Sequence, residues 1–182
     1  NEVFPDFPDY GKTITLRHIL THQSGLISYY EFLDEGRERP LLNEEIFEIL
    51  KTKDSTYFPP GTLFEYNQTG YALIPLIVEK VSGKSFSQYM HEEVFTKLNM
   101  NSSSIYNSEN TNIERAMGYS FNNDTTTIKD KSVISEIIGS KGVLTTVADY
   151  YKWDQALYNE VLLPQKHLEE AFYSWDNNQK TQ

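Results

Sequence analysis

A mainly α fold with a minor β component is the class this sequence predicts, on three observations. Apolar residues recur at helical spacing in segment after segment, capping residues bracket those segments, and a single stretch alternates in the manner of a hairpin. After a proline-rich opening, Phe4-Pro5-Asp6-Phe7-Pro8, Thr15 caps a short helix carrying Leu16, Ile19 and Leu20 that stops near Ser24-Gly25. Leu42 or Asn43 opens a second helix, with Ile46, Phe47, Ile49 and Leu50 on its apolar face. Phe58-Pro59-Pro60-Gly61 cannot continue a helix and begins a loop that carries Phe64-Glu65-Tyr66-Asn67-Gln68. From Thr69 to Val81 the residues are apolar almost all round, which predicts a helix buried in the interior, with Pro75 either in its first turn or kinking it. Gly83 ends that helix and Ser85 caps the next, along which Phe86, Tyr89, Met90, Val94 and Phe95 keep helical spacing up to Leu98-Asn99-Met100. The stretch from Ser102 to Lys131, rich in Asn, Thr and Ser, reads as loop with a hairpin around Tyr119-Ser120-Phe121 and Thr126-Thr127-Ile128. Thr145 or Thr146 caps a helix bearing Val147, Tyr150, Trp153 and Leu157, and Pro164 begins a last one through Phe172.

Composition narrows the function classes. The chain is 38% hydrophobic and 14% aromatic, with 13 Tyr and 10 Phe, enough bulky surface for a core within 182 residues. Its net charge of -10 comes from acidic residues spread along the chain, which argues against nucleic acid as a partner. Without cysteine there are no disulfides, no zinc–thiolate sites and no thiol catalysis. No apolar run approaches the roughly 18 residues needed to span a bilayer, and the N-terminus has neither the basic nor the apolar segment of a signal peptide. The chain starts without Met and closes on the polar run DNNQKTQ, so it is expected to be an internal piece of a longer protein.

Nucleophilic catalysis needs a nucleophile, a base and oxyanion donors, and no complete set is present. No serine is followed three residues later by lysine, and no Gly-x-Ser-x-Gly elbow occurs. His18 and His22 stand four apart at a spacing that suits a metal, but Ile19-Leu20-Thr21 between them holds no carboxylate, so packing near a helix end is the expected role and no metal or cofactor is predicted. Ser24, directly before Gly25, reads as a turn residue rather than a nucleophile. Gly139, Ser140 and Gly142 have the look of a phosphate-cradling turn but lack the following Lys-Ser/Thr. Glycosylation sequons occur at Asn67, Asn101 and Asn123.

Three blocks carry a resemblance. Ile14-Thr15-Leu16-Arg17-His18-Ile19-Leu20-Thr21-His22-Gln23-Ser24-Gly25-Leu26 resembles, nearly letter for letter, the ITLRHLLTHTSGL signature of β-lactamase-related serine hydrolases, the group of class C β-lactamases, D-alanyl-D-alanine carboxypeptidases and penicillin-binding-protein-like esterases. The run from Phe58 to Tyr71 resembles the family's PGxxFxYSNxGY block and is followed by a helix similar to its LLGxIIExVSGxS run. Ile138 to Asp149 resembles its AGGLxSTAxDLxxW block, with Trp153 in place. Together they cover roughly residues 3 to 175 in matching order and spacing.

The resemblance implies the helical lobe of the serine β-lactamase and DD-peptidase fold, with most of the β-sheet missing, so that residues 1–182 form a single partial domain. It implies a parent enzyme acting through an acyl-enzyme on a small-molecule or peptide substrate, whether a peptide, β-lactam or ester. Of the family's three active-site elements, only the Tyr-x-Asn motif falls within the chain. Tyr66 takes the catalytic tyrosine position, while Gln68, in the place of the usual Asn with its carboxamide on a longer side chain, and Gly142, on a loop that borders the substrate cleft, take substrate-binding positions. Ser-x-x-Lys and the Lys/His-Thr-Gly strand would lie outside it, so the chain alone is expected to be inert. The alternative is a non-catalytic binding or scaffold module that kept the fold, a reading prompted by Gln68. The family implies an extracytoplasmic, periplasmic or membrane-associated setting, and the face that would meet the missing sheet implies self-association through exposed apolar surface.

Overall fold

The computed structural model describes residues 2–34, 36–108, 114–122, 125–128 and 132–173 of the chain. Within them lie helices α1 (Leu16–Leu20), α2 (Asn43–Lys51), α3 (Gln68–Ser82), α4 (Phe86–Met90), α5 (Val147–Ala156) and α6 (Gln165–Phe172), with 3-10 turns at Asp9–Thr13 and Tyr29–Phe32. Four short strands, β1 (Ser104–Ile105), β2 (Tyr119–Asn122), β3 (Thr125–Ile128) and β4 (Val143–Leu144), complete a mainly α structure with minor β. The polar run after Tyr173 and the sequon at Asn123 lie outside the described residues.

Local chemistry accounts for the helix starts. Thr15 accepts from the His18 backbone N–H while the His18 imidazole accepts from that of Thr15, a reciprocal cap in which histidine takes the place of the usual Glu or Gln. Ser85 and Thr146 accept from Gln88 and Asp149, and at α2, where Leu42 has nothing to offer, the Glu45 carboxylate accepts from the Leu42 N–H. Gly83 closes α3 with φ at 72°. The apolar run after Ser85 is not one continuous α-helix, because α4 passes into a π-helical turn at His91–Phe95.

Two hydrophobic cores organise these elements. The first joins Leu26, Tyr29 and Leu41 with Ile46 and Leu50 of α2, Ala72 and Leu73 of α3, and Ile137. The second gathers Phe86, Phe95, Leu98, Met100, Ile105 and Ala156. Burial of α3 is confined to its first half, at Thr69, Gly70, Ala72, Leu73 and Pro75, whereas Val81 is 73% exposed, so the apolar run is not interior throughout. Pro75 lies well beyond the first turn, in the body of α3.

The strands pair antiparallel in two separate ribbons. β2 and β3 form the expected hairpin, with Tyr119 opposite Ile128. β1 pairs with β4, Ser104 opposite Leu144 and Ile105 opposite Val143, a pairing of residues far apart in the chain that local pattern does not reveal. Buried Asp149 supports this ribbon from α5, accepting from the Ser102 N–H at 2.7 Å, the Ser103 hydroxyl at 3.0 Å and Lys152 at 2.7 Å. The Lys152 ammonium in particular holds its carboxyl below the ordinary value.

Candidate active site

The segment after α1 acts as a template for the loop that precedes α3. Backbone N–H groups of Tyr57, Gly61 and Glu65 donate to the carbonyls of Gly25, Gln23 and His22 at 2.8, 2.9 and 2.9 Å. The two chains approach so closely that a Cβ at residue 25 would stand 2.3 Å from the Phe58 carbonyl oxygen, and Gly25 also has φ at 67°, which explains a glycine there. Ser24 is buried, with its hydroxyl accepting from the Leu26 N–H at 3.4 Å, so it is a turn residue. The Asn67 amide completes the attachment by donating to the Leu26 carbonyl and accepting from the Thr69 N–H, so the sequon asparagine is a buried cap of α3.

This template presents Tyr66. Its side chain is 65% exposed at the end of the loop, one ring face against the His22 imidazole at a centroid distance of 4.5 Å. His22 in turn stacks on Tyr71 at 5.0 Å and meets Phe64 edge-on at 6.0 Å, and the Tyr71 hydroxyl donates to the Leu20 carbonyl at 2.9 Å. His22 has φ at 57°, and its Nδ1 accepts from the Asn67 N–H at 3.2 Å. Burial pushes its pKa below the ordinary histidine value, in keeping with an unprotonated Nδ1. His18 is occupied in the α1 cap, so the two histidines have separate structural duties. Among the described residues no group of three or more His, Cys, Asp or Glu is placed to hold a metal ion.

Gln68, the first residue of α3, has its carboxamide oxygen beneath two phenols. Tyr29 donates to it at 2.8 Å and Tyr30 at 3.5 Å. The Ser140 hydroxyl is beside the Tyr29 phenol but is buried without a well-formed hydrogen bond. Thus Gln68 and Ser140 of the 139–142 loop meet at the Tyr29 phenol. Gly142 itself, with φ at 99°, faces the other side of that loop, where its carbonyl accepts from the Tyr106 N–H at 2.6 Å and a Cβ would meet Ile138 at 3.0 Å.

The loop is held by a proline and an asparagine. Pro75 has no N–H to give the Tyr71 carbonyl one turn earlier, and Gly139 packs against that carbonyl so closely that a Cβ would stand 2.4 Å from it and 2.6 Å from the Pro75 ring. Asn43 clamps the same point from α2, donating to the carbonyls of Ala72 at 2.7 Å and Ile138 at 2.8 Å and accepting from the Ile138 N–H at 3.1 Å. Lys141, on the loop, is partly buried, and that burial pushes its pKa down.

Sequence reasoning did not find Tyr29 and Tyr30, and it gave His22 only a packing role. The available signal was the tandem tyrosine placed just after the 14–26 block, at the start of a short turn capped by Ser28. A cavity of about 520 Å³ lies elsewhere, between the N-terminal segment, α1, α2 and α3, with walls such as Phe4, Phe7, Leu16, Phe47 and Ile77. It offers packing surface rather than an acid–base pair.

Tyr66 ends the loop and Gln68 begins α3, next to the loop that Gly139 and Gly142 bound. The chain belongs to the β-lactamase family, whose model matches residues 1–182. It is 30% identical to penicillin-binding protein 4* of Bacillus subtilis (strain 168), over 92% of this chain and 40% of that protein. Among solved structures it is similar to the octameric penicillin-binding protein homologue from Pyrococcus abyssi, with a TM-score of 0.80 and 27% identity over 96% of this chain and 42% of that one. It is also similar to the penicillin binding protein from Bacillus halodurans, with a TM-score of 0.75 and 26% identity over 90% of this chain and 52% of that one. The chain therefore spans about two fifths to half the length of these relatives.

Proposed function

We propose that this chain supplies the proton-transferring and substrate-orienting side of a serine hydrolase that works through an acyl-enzyme. The observation that carries the reading is the presentation of Tyr66: an exposed phenol backed by the neutral His22 ring, two residues before a Gln68 carboxamide held at the start of α3. In this reading Tyr66 relays protons between the attacking serine, its lysine partner and the leaving group, and the Gln68 carboxamide binds an amide or carbonyl of the acyl portion. In this reading the serine and lysine lie outside these 182 residues, in which no Ser-x-x-Lys occurs, and the chain alone is expected to show no hydrolase activity. Similarity to penicillin-binding proteins supports a peptide or β-lactam substrate, with simple esters as a further class.

A second reading is favoured by one observation, the glutamine at the position of the family's asparagine: a non-catalytic module that binds such ligands without turning them over. Labelling the full-length protein with a fluorescent penicillin and a fluorophosphonate, read by intact mass, separates the two. The hydrolase reading expects a stoichiometric adduct that is lost when the serine of Ser-x-x-Lys is replaced by alanine. Reversible binding with no adduct from either probe would establish the module.

A further inference from the structure

Gln68 does not stand alone at the start of α3. Tyr29 is fully buried, and it grips the first turn of α3 at two points: its backbone N–H donates to the Thr69 hydroxyl at 2.8 Å and its phenol to the Gln68 carboxamide oxygen at 2.8 Å. The Tyr30 ring stacks on it at 4.6 Å and an interplanar angle of 28°, which brings the second phenol to within 3.5 Å of the same oxygen. A buried phenol O–H left without an acceptor is costly, so Gln68 is as necessary to Tyr29 as Tyr29 is to Gln68. The reach is specific to glutamine. An asparagine is shorter by one C–C bond, about 1.5 Å, and its oxygen would lie beyond hydrogen-bonding distance of the Tyr29 hydroxyl.

We propose that Tyr29 is a positioning residue matched to Gln68, holding the carboxamide by its oxygen so that its N–H edge is the part left to meet substrate. Burial, foremost, and then the neighbouring Tyr30 hydroxyl push the Tyr29 pKa up, so the phenol remains a donor and the orientation persists across the pH range of the reaction. The pairing accounts for the departure at residue 68: the longer side chain is anchored at its tip by a phenol. This inference rests on the reading that Gln68 contacts the acyl portion of the substrate.

A double-mutant cycle in the full-length protein tests it, with Tyr29→Phe, Gln68→Asn and the pair assayed on an N-acylated peptide-type amide and on a p-nitrophenyl ester that lacks the acylamido carbonyl. Loss of one oriented hydrogen bond is expected to lower the amide-over-ester ratio of kcat/KM roughly five- to tenfold in Tyr29→Phe, mainly through KM. In the Gln68→Asn background, where the contact is already gone, Tyr29→Phe is expected to leave that ratio unchanged. Equal losses on both substrates, or effects that add across the two sites, would show that Tyr29 only supports the fold and would overturn the positioning role while leaving the hydrolase reading intact. No turnover of either substrate by the unaltered, folded protein would overturn the hydrolase reading and the positioning role with it.

Discussion

His22 shows how much one side chain can hold in place. It is the middle of an aromatic column from Tyr71 to Tyr66, and its Nδ1 serves the Asn67 N–H one residue beyond Tyr66. Replacing it with asparagine, which tolerates the left-handed backbone at φ 57°, removes the ring while avoiding new strain. Aromatic contacts of this kind contribute about 1 kcal/mol each, so His22→Asn is expected to destabilise the chain by about 2 kcal/mol in urea unfolding. In the full-length protein it should also slow acylation, because Tyr66 loses its backing. None of this was legible in the 14–26 block itself: the pattern identified two histidines at helical spacing, but the groups that define His22 come from residues 64–71. Tyr66 and Gln68 were singled out only through the resemblance, since composition and spacing make them ordinary loop residues.

At the scale of elements, helix boundaries were the most legible feature because their causes are local. Thr15, Ser85, Thr146 and Gly83 cap the helices where the sequence places them. The β1–β4 ribbon was not legible, because two-residue strands carry too little alternation to betray a partner far along the chain. The sequence places Pro75 in the first turn or at a kink, whereas it lies in the body of α3, and its consequence, a carbonyl left for Gly139 to pack against, needs the fold. The joint between α2, α3 and the 138–142 loop rests on Asn43, and Asn43→Ala would leave three backbone groups without their partner. A cost of about 3 kcal/mol in denaturant unfolding is expected, at 1–3 kcal/mol per stranded buried group with partial recovery from water. A wild-type stability in that variant would mean the loop is held some other way. Gly139→Ala should loosen the same joint, since φ at 92° and the 2.4 Å approach to the Tyr71 carbonyl both forbid a side chain.

Across the whole molecule, acid should act through charges that the fold has paired. Glu45 caps α2 and binds Arg39 and Arg37; Arg39 foremost draws its pKa down from 4.5 to about 2. A depressed carboxylate stabilises the folded state above its unfolded pKa, and that contribution is lost as pH falls from about 4.5 toward 2. His22 adds a second window: with its folded pKa lowered from 6.5, the unfolded chain takes up the proton first, so stability declines as pH drops below 6.5. Melting temperatures measured from pH 8 to pH 3 should show both declines, the lower one flattened in Glu45→Gln and the upper one in His22→Asn. The helical lobe as a whole thus serves as a scaffold: the first core holds α2 and α3, α3 carries Gln68 at its start, and the 14–26 template fixes the loop that presents Tyr66.

That Tyr66 moves protons for an acyl-enzyme is most directly tested by the rate of acylation of the full-length protein, measured by rapid quench and intact mass with a penicillin and compared with Tyr66→Phe. Removing the hydroxyl while keeping the ring on His22 is expected to slow acylation by roughly 10²- to 10⁴-fold with little change in melting temperature. An acylation rate within twofold of the unaltered protein would contradict the role assigned to Tyr66.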